Sequence, residues 1–134
     1  ALIGFGASAI GRVPGGYVQN ETVTGRYAER VRGGDLPIAR GYRLSDDDRL
    51  RAAIIERLMC DLTVDLAAVS ARHGLNPAAL GPLDGLEAMA AEGLLAFDGA
   101  RITLPESSRL LVRKVASLFD VHLEASTRRY SRAV

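Results

Sequence analysis

Glycine is placed unevenly along this chain, and that unevenness limits what the chain can fold into. Nine of the 14 glycines (Gly4, Gly6, Gly11, Gly15, Gly16, Gly25, Gly33, Gly34 and Gly41) fall in the first 44 residues, and five in the other 90. Glycine gives a core no side chain and loses more conformational freedom on folding than any other residue. Residues 1–44 must therefore rely on turns and close backbone approaches, whereas residues 45–134 can build an ordinary apolar core. With 134 residues, 48% of them hydrophobic, the chain can bury one good core and a small appendage. We expect two parts, 1–44 and 45–134.

In the first part, Leu2 to Phe5 is a short apolar run closed by Gly6, and Ala7 to Ile10 precedes a turn at Pro14-Gly15-Gly16 and a half-extended Tyr17-Val18-Gln19. This pattern predicts a strand, a glycine loop and a hairpin. Glu21 to Val31 carries Val23, Tyr27 and Val31 at helical spacing and stops at Gly33-Gly34, which predicts a helix with a narrow packed stripe. Pro37 and Gly41 mark an extended connector.

The second part has clearer signals. Ser45 stands before Asp46, Asp47 and Asp48, a cap and an acidic first turn that suit the start of a helix to about Cys60, with Leu50, Ile54 and Leu58 as its buried stripe. Leu62 to Val64 is too short to assign by period. Asp65 to His73 reads as a short helix stopped by Gly74, and Asn76-Pro77 opens another through Leu80, Leu83, Leu86 and Met89 to Gly93. Asp98-Gly99, between Leu94-Leu95-Ala96-Phe97 and Arg101-Ile102-Thr103-Leu104, is a hairpin signal. Ser107 or Ser108 then caps a last helix with Leu111, Val115, Leu118 and Phe119 inward. Three helices, a two-stranded wing and a helix is the order of a winged helix-turn-helix domain.

A winged helix raises the question of DNA, which local charge can test. Seventeen bases against sixteen acids leave the whole chain at +1, so no bulk field favours a polyanion. The expected reading helix and wing, residues 77–104, set Asp84, Glu87, Glu92 and Asp98 against Arg101 alone. Such a surface lacks the counterion release that drives DNA binding, so we expect a protein-packing module and no nucleic-acid partner.

A single cysteine, Cys60, excludes an internal disulfide and a thiolate-held metal centre built from this chain alone. His73 and His122 have no ligand partners at helical spacing, so no metal is assigned. The longest uncharged stretch, Ala1 to Gly11, is too short to span a bilayer and no basic region precedes it. The expectation is a soluble, cytoplasmic chain.

The opening Gly4-Phe5-Gly6-Ala7-Ser8-Ala9-Ile10 is the segment whose residue types admit close approach of a ligand. It lacks the third glycine of a dinucleotide loop, and a tight turn beside another strand is the commoner use of such residues. This heptapeptide, with Gly16-Tyr17-Val18-Gln19-Asn20, Leu36-Pro37-Ile38-Ala39-Arg40-Gly41, Arg57-Leu58-Met59-Cys60 and the closing Ser131-Arg132-Ala133-Val134, resembles the C-terminal part of oxygen-independent coproporphyrinogen III oxidase. That is a radical S-adenosylmethionine family, and the resemblance spans the chain.

The resemblance implies an enzyme of haem biosynthesis. It would convert two propionates of its substrate coproporphyrinogen III to vinyl groups, releasing carbon dioxide and giving protoporphyrinogen IX, with S-adenosylmethionine and a 4Fe-4S cluster as cofactors. It implies that Ile10 lines a second S-adenosylmethionine site, with Gly6 on the same loop. Residues 1–44 would be the end of a truncated radical barrel plus a connector, and 45–134 a winged-helix-like C-terminal domain. The fold class expected overall is mainly α with small β. The family's three-cysteine cluster motif and most of its barrel are absent from these residues, so the chain by itself is expected to be inactive, a lid or brace on an N-terminal barrel. No catalytic residue is assigned. Arg40, Arg43 and Arg57 could pair with substrate propionates or make only surface ion pairs, and Tyr17, Gln19 and Asn20 receive no role. Without the barrel, residues 1–20 are expected to form a weak dimer or a disordered start. A related haem chaperone, with His73 or His122 as axial ligand, and a DNA-binding regulator stand as alternatives.

Overall fold

The computed structural model describes residues 1–123; the Ser131 to Val134 motif lies outside them. The described residues form a mixed α/β structure with five α-helices and two three-stranded sheets. They divide into two compact units, Ala1–Ser45 and the residues from Asp46 onward. Among the described residues no helix is long and apolar enough to cross a membrane.

The first unit is an antiparallel sheet in the order β1-β2-β3, formed by β1 (Ile10–Val13), β2 (Gly16–Asn20) and β3 (Ile38–Arg43). The hairpin expected at Pro14-Gly15-Gly16 joins β1 to β2, pairing Ile10 with Gln19 and Arg12 with Tyr17. Gly16 is required there, because a Cβ would stand 1.9 Å from the Tyr42 carbonyl oxygen.

Three expectations for this unit are corrected. The connector at Pro37 and Gly41 is a strand: β2 needs partners for its second edge, and Gly41 lies opposite Val18. The strand expected at Leu2 to Phe5 reduces to one bridge, in which Leu2 and Arg12 exchange N–H to carbonyl bonds of 2.7 and 2.8 Å. Helix α1 (Thr24–Arg32) lies close to the expected span but buries nothing, and Val23 and Val31 are exposed. Only Tyr27 of its stripe is half-buried. Arg30 and Arg32 complement the dipole at its C-terminus.

The second unit holds the core. Helix α2 (Asp46–Asp61) starts with Asp46, Asp47 and Asp48 and buries Leu50, Ile54 and Leu58 completely. The unassigned stretch after it is β4 (Thr63–Asp65), followed by α3 (Leu66–Arg72), which is capped by Asp65 accepting from the Ala68 N–H. Strand β4 pairs with β6 (Arg101–Thr103), and β6 with β5 (Ala96–Phe97), giving the order β4-β6-β5. The Asp98-Gly99 hairpin forms as expected, with the Asp98 carboxylate accepting from the Ala100 and Arg101 N–H groups.

Two helices differ from expectation. The single helix from Asn76 to Gly93 is instead a 3₁₀ turn at Pro77–Leu80 and α4 (Asp84–Ala91). Gly81 at φ +78° is followed by Pro82, which restricts its predecessor and lacks an N–H, so the helix cannot continue. The last helix has no serine cap. A 3₁₀ turn at Glu106–Leu111 leads into α5 (Val112–Ser117), which buries Val112, Val115 and Ala116 with Phe119 just beyond, while Leu118 stays 45% exposed. Either apolar stripe satisfies helical spacing. Val115 and Phe119 belong to both, and packing of α5 against α2 completes the buried face with Val112 and Ala116 in place of Leu111 and Leu118.

Candidate functional site

The glycine loop is held from behind by two side chains. Asn20 is buried, and its Nδ2 donates to the Gly4 and Gly6 carbonyls at 3.0 Å each. Tyr27 of α1 accepts from the Gly6 N–H through its hydroxyl at 3.1 Å. Gly6 sits at φ +96° and Ser8 at +62°, a backbone that Gly6 adopts without strain. The loop is closed by the Ser8 N–H donating to the Glu21 carbonyl and the Asn20 N–H to the Ala9 carbonyl.

Strand pleating sends alternate side chains to opposite faces. Ile10, Gln19 and Arg40 occupy one cross-strand row, and Arg12, Tyr17 and Tyr42 the next. On this face a groove of about 350 Å³ is lined by Ile10, Tyr17, Gln19, Arg40, Gly41 and Tyr42. Ile10, 57% exposed, supplies an apolar wall. Arg40 Nε donates to Gln19 Oε1 at 2.7 Å, and Gln19 Nε2 donates to the Ser8 carbonyl at 3.2 Å. An apolar wall, two phenol rings and one oriented guanidinium suit a ligand with a flat or apolar body and an anionic group.

The model of the HemN C-terminal domain matches residues 44–111. The chain belongs to the HemN C-terminal domain family. Over 99% of its length it is 49% identical to the oxygen-independent coproporphyrinogen III oxidase of Bradyrhizobium diazoefficiens. It is 40% identical over 89% of its length to that of Cereibacter sphaeroides. The coproporphyrinogen III oxidase (HemN) of Escherichia coli, described as a radical SAM enzyme, superposes with a TM-score of 0.80 over 91% of this chain at 30% identity. The chain spans 30%, 26% and 29% of these three proteins.

The residues singled out from sequence have separate fates in this HemN family member. Ile10 lines the groove, whereas both backbone polar groups of Gly6 are engaged by Tyr27 and Asn20. Arg43 alternates to the face opposite Arg40. Arg57 is taken up by Asp61 one turn along α2, at 2.9 Å, and this carboxylate raises the guanidinium's pKa. His122 Nε2 lies 2.9 Å from Asp48 Oδ1. Cys60 and His73 share a groove between α2 and α3 with Arg57, Asp61 and Arg72. Among the described residues no three His, Cys, Asp or Glu side chains gather as a metal site.

Sequence reasoning missed the supporting residues. Asn20 and Tyr27 were not connected with the loop, although a run of glycine carbonyls needs donors and Asn20 offers two N–H groups. Gln19 and Arg40 are 21 positions apart, and only the pairing of β2 with β3 makes them neighbours.

Proposed function

We propose that this chain is the C-terminal portion of an oxygen-independent coproporphyrinogen III oxidase, which oxidatively decarboxylates two propionates of coproporphyrinogen III to vinyls, giving protoporphyrinogen IX. The supporting observation is the 49% identity to the Bradyrhizobium enzyme over nearly the whole chain. In this reading Ile10 and the Gly6 loop border an S-adenosylmethionine site, with Asn20 and Tyr27 holding the loop in position. The groove's apolar wall and guanidinium fit an adenosyl compound carrying a carboxylate. The donor set does not fit an iron-sulfur cluster, because Cys60 is the sole cysteine. The cluster ligands would come from a barrel outside these residues. When bound there, S-adenosylmethionine supplies the radical that takes a hydrogen from a propionate, and the protein contributes position and exclusion of water.

Residues 45–134 are read as a winged-helix-like packing module that braces or covers this barrel and binds no nucleic acid. The order α2, β4, α3, α4, β5, β6, α5 supports the first point. The exposed Asp84, Glu87, Glu92 and Asp98 support the second.

The test is a chimera in which this chain replaces the matching part of the Bradyrhizobium oxidase. The chimera is expected to turn over coproporphyrinogen III, and the same chimera lacking residues 45–134 to lose activity or solubility. A soluble, cluster-loaded chimera without turnover would defeat the assignment, and undiminished turnover after the deletion would defeat the brace.

A further inference from the structure

We propose that Arg40, oriented by Gln19, binds the carboxylate of the ligand that occupies the Ile10 groove. The proposal deepens the functional reading above and rests on it. Five other arginines, Arg30, Arg51, Arg57, Arg101 and Arg109, are each paired with an Asp or Glu. Arg40 instead gives its Nε–H to a neutral amide oxygen, 2.7 Å away on Gln19. Gln19 is itself anchored, since its Nε2 donates to the Ser8 carbonyl of the glycine loop. The relay aligns the guanidinium without neutralising it. The two terminal nitrogens of Arg40 have no partner among the described residues, and this pair of donors is the half of the fork that grips a carboxylate bidentately.

The surroundings agree with that use. Arg40 is the one charged residue lining the groove, beside Ile10 and the rings of Tyr17 and Tyr42. The cross-strand row Ile10, Gln19, Arg40 sets the cation and the apolar wall on either side of the amide that orients it. A ligand with an apolar body and a carboxylate can touch both at once. Within the proposed reaction two molecules offer such a carboxylate: the tetrapyrrole, through its propionates, and S-adenosylmethionine, through its methionyl end.

The experiment uses the chimera described above, as wild type and as Arg40→Gln, Arg40→Lys and Gln19→Leu, with circular dichroism to establish that each is folded. Binding is measured by fluorescence titration with coproporphyrin III and with its tetramethyl ester, which lacks carboxylates, and by calorimetry with S-adenosylmethionine. Arg40→Gln is expected to weaken one carboxylate probe by about tenfold or more, Arg40→Lys by less, and Gln19→Leu by an intermediate amount. A loss for coproporphyrin III with the ester unaffected identifies the propionate as the partner, and a loss for S-adenosylmethionine identifies the methionyl carboxylate. Unchanged binding of both probes to a folded Arg40→Gln protein would overturn the proposal, even where the wild-type chimera is active. An inactive wild-type chimera would remove the oxidase reading, yet a carboxylate-dependent loss of probe binding in Arg40→Gln would still uphold Arg40.

Discussion

Every buried apolar side chain among the described residues lies between Leu50 and Phe119, whereas the first 45 residues bury only Gly11, Gly16 and Asn20. The second unit is held by apolar area removed from water, the dominant favourable term in folding. The first is held by strand pairing and by one amide that satisfies two loop carbonyls. It leaves Leu2, Ile3, Phe5, Ile10 and Leu36 more than half exposed. A packed core tolerates surface change and is broken by a cavity, while a hydrogen-bonded sheet tolerates loss of side-chain bulk and is broken by loss of a donor.

The largest expected effect is on the core. Ile54→Ala, at a fully buried position of α2, should cost about 3 kcal/mol by lost transfer energy and cavity formation. Urea unfolding followed by the helical signal checks it, and a cost below about 1 kcal/mol would mean that the core collapses around the gap. Asn20→Ala should cost about 1 to 2 kcal/mol, because the Gly4 and Gly6 carbonyls lose their donor. Faster amide exchange over residues 4–9 with exchange in α2 unchanged would sharpen the contrast; equal acceleration in both units would break it.

The smallest effect is electrostatic. N–H donation from Arg101 and Ala100 holds the Asp98 carboxyl below its usual range. A folded value below the unfolded one, about 4, means that this contribution is present above pH 4 and lost as pH falls through the folded value. Asp98→Asn keeps the acceptor oxygen without titrating. Thermal melts between neutral and acidic pH should therefore show a slightly shallower loss for Asp98→Asn, and identical slopes would exclude Asp98 as a contributor.

Local chemistry made much of the second unit readable from residue order. The acidic start of α2, its Leu50, Ile54 and Leu58 stripe, the short helix after Asp65 and the Asp98-Gly99 hairpin all depend on neighbours within a few positions. The errors came where two local patterns competed. Around α5, stripes completed by Leu118 or by Val112 both fit with Val115 and Phe119, and only packing against α2 separated them. Pro37 and Gly41 marked only an extended connector where β3 forms, because the partner that uses this strand lies on β2.

The candidate site divides the same way. Amino-acid order alone determined the glycine-built first part, the core stripe of the second, and the family to which both motifs point, since these are matters of residue type and short spacing. The tertiary structure alone decided that Asn20 and Tyr27 secure the loop, and that Gln19 aims Arg40 beside Ile10. Those relations cross strands and helices, and a hydrogen bond between residues 21 positions apart exists only once the sheet has set its register.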